Sequence, residues 1–565
     1  MTKRALSLLF ISLIILLPVV VYFTVWDYYA INIPKWDDHT LKLFIDQYAH
    51  AANWKGKIMA LTKQHNEHRI ALTRLVAWAD YSLFGTLNYR HLMLVGNILL
   101  IGIIPLWYLL LKNSKKPLFA LVPVPFLWLS LSMWENMYWG MSAVQNFGVV
   151  TLSVWTIYLC VNPRNLLFAL SIPLAFICVF TSPNGLFVLP IGALLIFLTG
   201  NRKRLALYIL ASGATIFFFF NSYIRPDSNP ESKASILQLA KGYMAFLGSF
   251  AESIPVKDSF GMCFLLGIVL FLVALSIAST TLFRIIRNKY SIKFERITDL
   301  FCLGTILFVL GTALVVVYGR AGFGLEGLIT SKYKIYSLLL LIVAYLYVVI
   351  PIKGSFLSPY ITAIVFLAVI FNIFSYHYHL VDAYNLRKML ITDQFNWTYT
   401  DRTLKAQQDT SFAGRIVAKT PVVYENWLPL IAIADRQTYA GSSRGLIQLY
   451  DQTSFKKGID TYKVENKVFT SQRLQDSGIY VLFKSKDRYY IFPALRTRNK
   501  SRKELFLKQY YFAPGFEGDI PFTKMAKGTY NVALIRQEGA QTGIFFKNQK
   551  VVIPKTKENK VKVNW

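Results

Sequence analysis

The chain has 565 residues, of which 54% are hydrophobic, 15% aromatic and only 16% charged. That leaves too little polar surface for a soluble globular protein and points to an integral membrane protein. The formal net charge of +31 would suit nucleic acid, but the basic residues fall in short clusters between apolar runs and in a polar C-terminal region, and no motif reads DNA or RNA. Membrane lipids and anionic lipid-linked molecules are the partners this charge fits, and nucleic acid is excluded.

The N-terminal stretch MTKRALSLLFISLIILLPVVVYFTVW has a basic start and a long apolar core, with no small-x-small cleavage site before VWDYY. We read it as a retained first span, not a removed signal peptide. A spanning helix needs about 20 apolar residues, and runs of this kind occur at 5–25, 92–111, 117–134, 146–162, 165–181, 184–199, 204–222, 259–283, 299–318, 335–352 and 356–376, eleven in all. With Met1 inside, the basic clusters at 2–4, 112–117, 163–166, 200–204, 284–296 and 352–354 all fall on the cytoplasmic side, as the distribution of Lys and Arg in membrane proteins requires. The segment RIALTRLVAWADYSLFG (69–85) is helical in pattern but carries Arg69, Arg74 and Asp80. Counting it as a span would put the later clusters outside, so it is expected to lie along the outer face or to enter the membrane partway.

The expected fold is therefore a multi-pass α-helical membrane protein of about 11 spans, N-terminus in and C-terminus out, in the plasma (inner) membrane. It divides into a membrane part, 1–377, with a long first external loop at 26–91, and an extracytoplasmic β-rich, sandwich-like region, 378–565. Cys160, Cys178, Cys263 and Cys302 all lie in apolar runs and read as buried small hydrophobes, not as a disulfide framework or metal site.

The first loop opens with NIPKWDDHT (32–40), which sets Asp37 beside Asp38 just after the first span. DDHTLKLFIDQY follows with apolar residues at 41, 43, 44 and 45, the pattern of a short interfacial helix over 38–48. Five of the seven histidines, His39, His50, His65, His68 and His91, lie in this loop. A positioned carboxylate can act as a general base, and two neighbouring carboxylates disfavour each other's second charge. The competing explanation is that the acids cap the helix. His65 and His68 flank Glu67 at a spacing suited to a divalent metal, but no third ligand accompanies them, so no metal residue and no definite cofactor is assigned.

The order of one span, an acidic pair early in a long external loop and an interfacial helix resembles the GT-C superfamily of membrane glycosyltransferases, which includes protein O-mannosyltransferases and aminoarabinose transferases. Asp37-Asp38 stands where that family's acidic pair belongs, and NEHRIALTRLVAWADYSLFG stands in place of its HPP...FG-like helix. Asn66-Glu67-His68-Arg69 replaces His-Pro-Pro, which marks a divergent branch. The similarity covers the membrane part only. It implies transfer of a sugar from a polyprenyl-phosphate donor to a cell-envelope glycan or lipid acceptor, with Asp37 as base or acceptor-orienting acid and Asp38 second. His68 and Arg69 would then serve the donor phosphate, and Glu67 would orient the acceptor or the arginine.

Further along, WENMYWGMSAVQN (134–146) combines aromatic faces with Glu135 and Gln145, and Trp139 among them is a candidate sugar platform. An aromatic membrane belt would look the same. In YGRAGFGLEGLITSKYKIY (318–336), Arg320, Lys332 and Lys334 bracket a glycine-rich loop and are candidates for a lipid phosphate, Arg320 first. SKYK resembles the basic-Tyr element that starts this helix in related transferases, with Lys332 in place of an arginine. Snorkelling lysines would give the same pattern. The loop 223–258 carries RPDSNPESK and then an apolar helix, ILQLAKGYMAFLGSF. After 378, GIYVLFKSKDRYYIFPAL, KGTYNVALIRQEG and TGIFFKNQKVVIP alternate like strands between turns.

Two other functions compete with the transferase: a lipid-linked glycan flippase or transporter, and an envelope-glycan polymerase or ligase. A transporter would carry internal repeats or charges at mid-membrane, whereas these acids lie in loops at one face.

Overall fold

A computed structural model describes residues 3–224, 234–287, 295–400, 416–420, 423–433 and 443–554. The segment RPDSNPESK and most of the basic cluster 284–296 lie outside the described residues, as does the end (401–407) of DAYNLRKMLITDQFNWTYTDRTLKAQ, whose pattern is that of a helix leading away from the bilayer. The chain forms two compact units.

The first unit comprises Met1–Asp27, Leu43–Gly85 and His91–His379. Among the described residues of the whole chain, nine helices are long and apolar enough to cross a membrane: Lys3–Tyr29, Tyr89–Asn113, Leu118–Met137, Gly140–Cys160, Arg202–Phe220, Ser259–Arg287, Ile297–Phe323, Ser331–Val349 and Gly354–Tyr399. Burial sorts them. The apolar window of Lys3–Tyr29 is 11% buried and that of Gly140–Cys160 is 83% buried, so the former offers hydrocarbon to its surroundings and the latter is core.

Two of the eleven expected spans fall short. Asn165–Val179 has 15 residues and Val188–Leu198 has 11, and at about 1.5 Å per residue neither reaches across about 30 Å of hydrocarbon. The cause is the turn between them, where Pro183 opens a 3₁₀ helix over Pro183–Phe187. A Cβ on Gly185 would stand 2.3 Å from the Cys178 carbonyl oxygen, so the chain folds back where only glycine fits. All four cysteines are buried and free.

The segment 69–85 also resolves. Its helix, Ala71–Phe84, has 14 residues and ends at Gly85 in the left-handed region with φ 71, so at about 21 Å it is too short to span. Its charges are satisfied locally. Arg74 donates to the carbonyls of Leu61, at 3.0 Å, and Lys63, and Asp80 contacts His91 at 2.6 Å.

The apolar helix expected after residue 234 is Ile236–Leu247, opened by a reciprocal cap between Ser235 and Gln238. It packs backbone to backbone on Ser259–Arg287 through Gly248 and Gly267. A Cβ on Gly267 would lie 1.7 Å from the Met244 carbonyl oxygen, and one on Gly248 2.0 Å from that of Cys263.

The second unit comprises Tyr28–Lys42, Thr86–Arg90 and Leu380–Trp565. With the hairpin strands of the first unit, Gln64–His65 and His68–Arg69, counted as β1 and β2, its strands are β3 (Thr453–Lys457), β4 (Thr461–Asn466), β5 (Gly478–Lys484), β6 (Tyr489–Pro493), β7 (Phe516–Pro521), β8 (Gly528–Glu538) and β9 (Gln541–Ile553). They form two antiparallel sheets, ordered β3-β4-β7 and β6-β5-β8-β9. Tyr462, Val464, Phe516 and Ile520 of the first sheet share one core with Val481, Phe483, Val532 and Leu534 of the second. The end of the long helix Leu357–Thr400 docks on this unit. Arg387 holds Asp476 at 2.6 and 3.0 Å, and the Lys388 ammonium donates to the carbonyls of Ile479 and Ala494 at 2.9 and 3.1 Å.

Replacing Gly267 by alanine is expected to lower stability by about 1–3 kcal/mol, because two backbones must separate. Gly213→Ala, where no atom lies within 4 Å of the added carbon, is expected to be neutral or stabilising by about 0.5–1 kcal/mol. Unfolding midpoints of the two detergent-solubilised variants would show the contrast, and equal effects would remove the packing explanation.

Candidate functional site

The candidate residues fall into two constellations, one in each unit. In the first unit, β1 and β2 form a tight hairpin pairing His65 with His68, whose tip is Asn66-Glu67. Asn66 has φ 49, a conformation asparagine tolerates better than most residues. The tip presents the Glu67 carboxylate to the Arg320 guanidinium in an ion pair, with His68 Nε2 3.4 Å from the same oxygen. Burial opposes ionisation of Glu67, but the hydrogen bond and charge of His68 and the charge of Arg320 outweigh it and hold the carboxyl down to about 2. The Tyr223 hydroxyl donates to the Glu67 carbonyl at 3.4 Å.

A second ion pair stands nearby. Lys332 lies 3.5 Å from Glu135 and 4.5 Å above the Trp139 ring. Ser331 and the Lys332 carbonyl fix the turn that carries Glu135: the Glu135 N–H donates to Ser331 Oγ at 3.0 Å and the Asn136 amide to the Lys332 carbonyl at 3.0 Å. Tyr333 lies between the two pairs, within electrostatic reach of Arg320, Glu67 and Glu135. Glu67, His68, Arg320, Lys332, Glu135 and Trp139 are thus brought together around Tyr333, with two cations matched by two carboxylates. An anionic ligand here would exchange with those carboxylates, a substitution of like charge for like.

The other candidates of this unit are placed differently. Arg69 spends Nε, Nη1 and Nη2 on the carbonyls of Phe219, Thr62 and Asn221, at 2.7, 2.5 and 2.5 Å, and so caps the end of the helix Arg202–Phe220. Gln145 donates to Ser182 at 3.5 Å. Lys334 is buried and ion-paired to Glu252, and His379 Nε2 lies 3.2 Å from each of them. Burial raises the Glu252 carboxyl, yet the His379 hydrogen bond and the Lys334 charge bring it down to about 2. Tyr333 was legible in SKYK as the residue between two lysines, whereas Glu252 and His379 had no local signal because their pairing joins distant segments. Among the described residues no three His, Cys, Asp or Glu side chains group to hold a metal ion.

In the second unit, the acidic pair does not simply open the 38–48 helix. It sits in a 3₁₀ turn, Trp36–His39, before the helix Thr40–Ala49. Trp36, exposed at the turn, has φ 46, a strained conformation for a bulky residue, and Lys35 Nζ lies 4.5 Å over its ring. The two acids differ. Asp38 is fully buried and accepts the Lys35 N–H at 3.0 Å, while its carbonyl accepts the Tyr89 hydroxyl at 3.2 Å. Asp37 is half-buried, and its carbonyl accepts both the Thr40 N–H and the Thr40 hydroxyl, the latter at 2.8 Å. The turn is tied to the C-terminal region: Asn32 donates to the Ala418 carbonyl at 2.9 Å and accepts from the Tyr89 N–H at 2.9 Å, and Thr420 donates to the Asn32 carbonyl at 2.6 Å. Leu87 bridges Val417 in parallel.

No family model, curated protein or solved structure matches the chain.

The depressed Glu67 carboxyl makes its ion pair a source of stability above its unfolded value near 4.5, lost as pH falls from about 4.5 toward 2. Glu67→Gln is therefore expected to be less stable than wild type at pH 7, by up to about 3 kcal/mol, with the difference vanishing near pH 2. Denaturant unfolding across this range reads it, and a difference independent of pH would contradict the ion pair.

Proposed function

We propose that the protein is a GT-C-like glycosyltransferase that moves a sugar from a polyprenyl-phosphate donor to a cell-envelope glycan or lipid. The acid of the first external loop acts as base at the outer face of the plasma membrane. In this reading the N-terminus is cytoplasmic and the loops and β-rich region are extracytoplasmic, as the basic clusters suggest.

The observation that carries it is the difference in burial within Asp37-Asp38. Asp38 is buried and spent on its own turn, so it accounts for the capping explanation by itself. Asp37 is half-buried beside a strained and exposed tryptophan, and a carboxylate placed in that way suits proton removal from an acceptor hydroxyl. Support for donor binding is weaker in kind: Arg320 and Lys332 offer charge, and Trp139 a face for a pyranose ring. Lys334 and Arg69, committed to Glu252 and to backbone carbonyls, support the fold rather than the donor.

Purified protein is to be incubated with a panel of radiolabelled polyprenyl-phosphate sugars and envelope-glycan acceptors. Asp37→Asn is expected to lower kcat by about 10²- to 10⁴-fold with its Tm unchanged, and Arg320→Ala to raise the donor KM. Wild-type turnover by both variants would remove these roles. Movement of lipid-linked glycan across proteoliposomes with no donor consumed would replace the transferase by a transporter.

A further inference from the structure

Beside the acidic turn, the second unit holds a group of buried polar side chains that the fold does not use. His39 and Lys42 are one helical turn apart, and each is more than nine-tenths buried. Among the described residues neither ring nitrogen of His39 has a hydrogen-bond partner, and the same is true of the buried indole Nε1 of Trp397. Lys42 Nζ lies 5.8 Å from the Trp397 ring centroid. Among the described residues no carboxylate pairs with Lys42. Of the acids four residues away on either side, Asp38 accepts the Lys35 N–H and Asp46 faces His50 at 3.1 Å.

The chemistry of the group is one-sided. Lys42 has three N–H donors and no acceptor, Trp397 has a donor only, and neutral His39 has one donor and one acceptor. Burial brings Lys42 down to about 8, so it is still mostly charged at pH 7, while burial and then the Lys42 charge hold His39 down to about 3, so its ring is neutral there. A buried positive charge with surplus donors calls for an acceptor-rich anion. The indole ring adds a flat apolar face of the kind that stacks on a sugar.

We infer that Lys42, His39 and Trp397 form a binding subsite for an anionic sugar, one carrying a phosphate or a carboxylate. Lys42 makes the charge-assisted hydrogen bond, His39 and Trp397 each donate one more, and the indole face lies against the ring. With Asp37 two residues from His39, the subsite selects an acceptor glycan that bears negative charge. That last step rests on the transferase reading, whereas anion binding does not.

The test uses the full-length protein in nanodiscs, with thermal unfolding and calorimetric titration of glucose 6-phosphate, glucuronate, glucose and inorganic phosphate. Wild type is expected to bind glucose 6-phosphate or glucuronate and not glucose, and whichever binds names the anion. Binding of inorganic phosphate as tight as that of the sugar anions would overturn the sugar part of the assignment. Lys42→Met should weaken the bound anion about tenfold or more, and Lys42→Arg should retain binding. A site of this kind is relieved when its unpaired charge is removed, so without ligand Lys42→Met should melt at or above the wild-type Tm. A lower Tm, or failure of that variant to fold while Lys42→Arg folds without binding, would show Lys42 to be a structural residue and overturn the proposal. Anion binding that Lys42→Met leaves unchanged would do the same. If Lys42-dependent binding is found but no sugar is transferred, the subsite stands and the transferase reading falls.

Discussion

An ionised side chain set among apolar helices must find partners, because taking it out of water costs several kcal/mol that only pairing or good hydrogen bonds recover. The membrane unit is organised by that requirement. Arg69 and Arg74 spend their donors on backbone carbonyls, Asp80 meets His91, Lys334 meets Glu252 with His379 beside it, and Arg320 and Lys332 meet Glu67 and Glu135. These pairs join distant segments: Glu67 and Arg320 are separated by 253 residues in sequence, and Glu252 and Lys334 by 82. Charge pairing therefore decides which loop lies against which helix end, and the aromatic and carboxylate side chains around Tyr333 gather as a consequence.

The second unit answers to the same constraint. Arg387 is paired with Asp476 and Lys388 is held by two carbonyls, as a stable core requires. Among the described residues Lys42 meets no carboxylate, and its ammonium lies 5.8 Å from the Trp397 ring centroid. The strained Trp36 lies in the turn just before the helix that carries Lys42.

The C-terminal region gains a role from this arrangement. Strand-like alternation alone makes it a β-rich module of unassigned purpose. In the structure its chain at Ala418 and Thr420 ties down the turn that carries Asp37 and Asp38, and its helix residue Trp397 faces Lys42.

Apolar runs, basic clusters and strand alternation were legible in the sequence because each depends on solvent preference over a short window: a segment is greasy enough for lipid, or alternates for a half-buried sheet, whatever surrounds it. Helix length was less so, since the turn at Pro183 and Gly185 shortened two expected spans through a close backbone approach that hydropathy does not record. The acidic pair could be located but not divided, because Asp37 and Asp38 are chemically identical and only the turn makes one a buried cap and leaves the other half-buried. Which cation meets which carboxylate, and that Lys42 meets none among the described residues, was decided by tertiary structure alone. Pair energies depend on distance and burial, and residues far apart in the chain acquire both only when it folds.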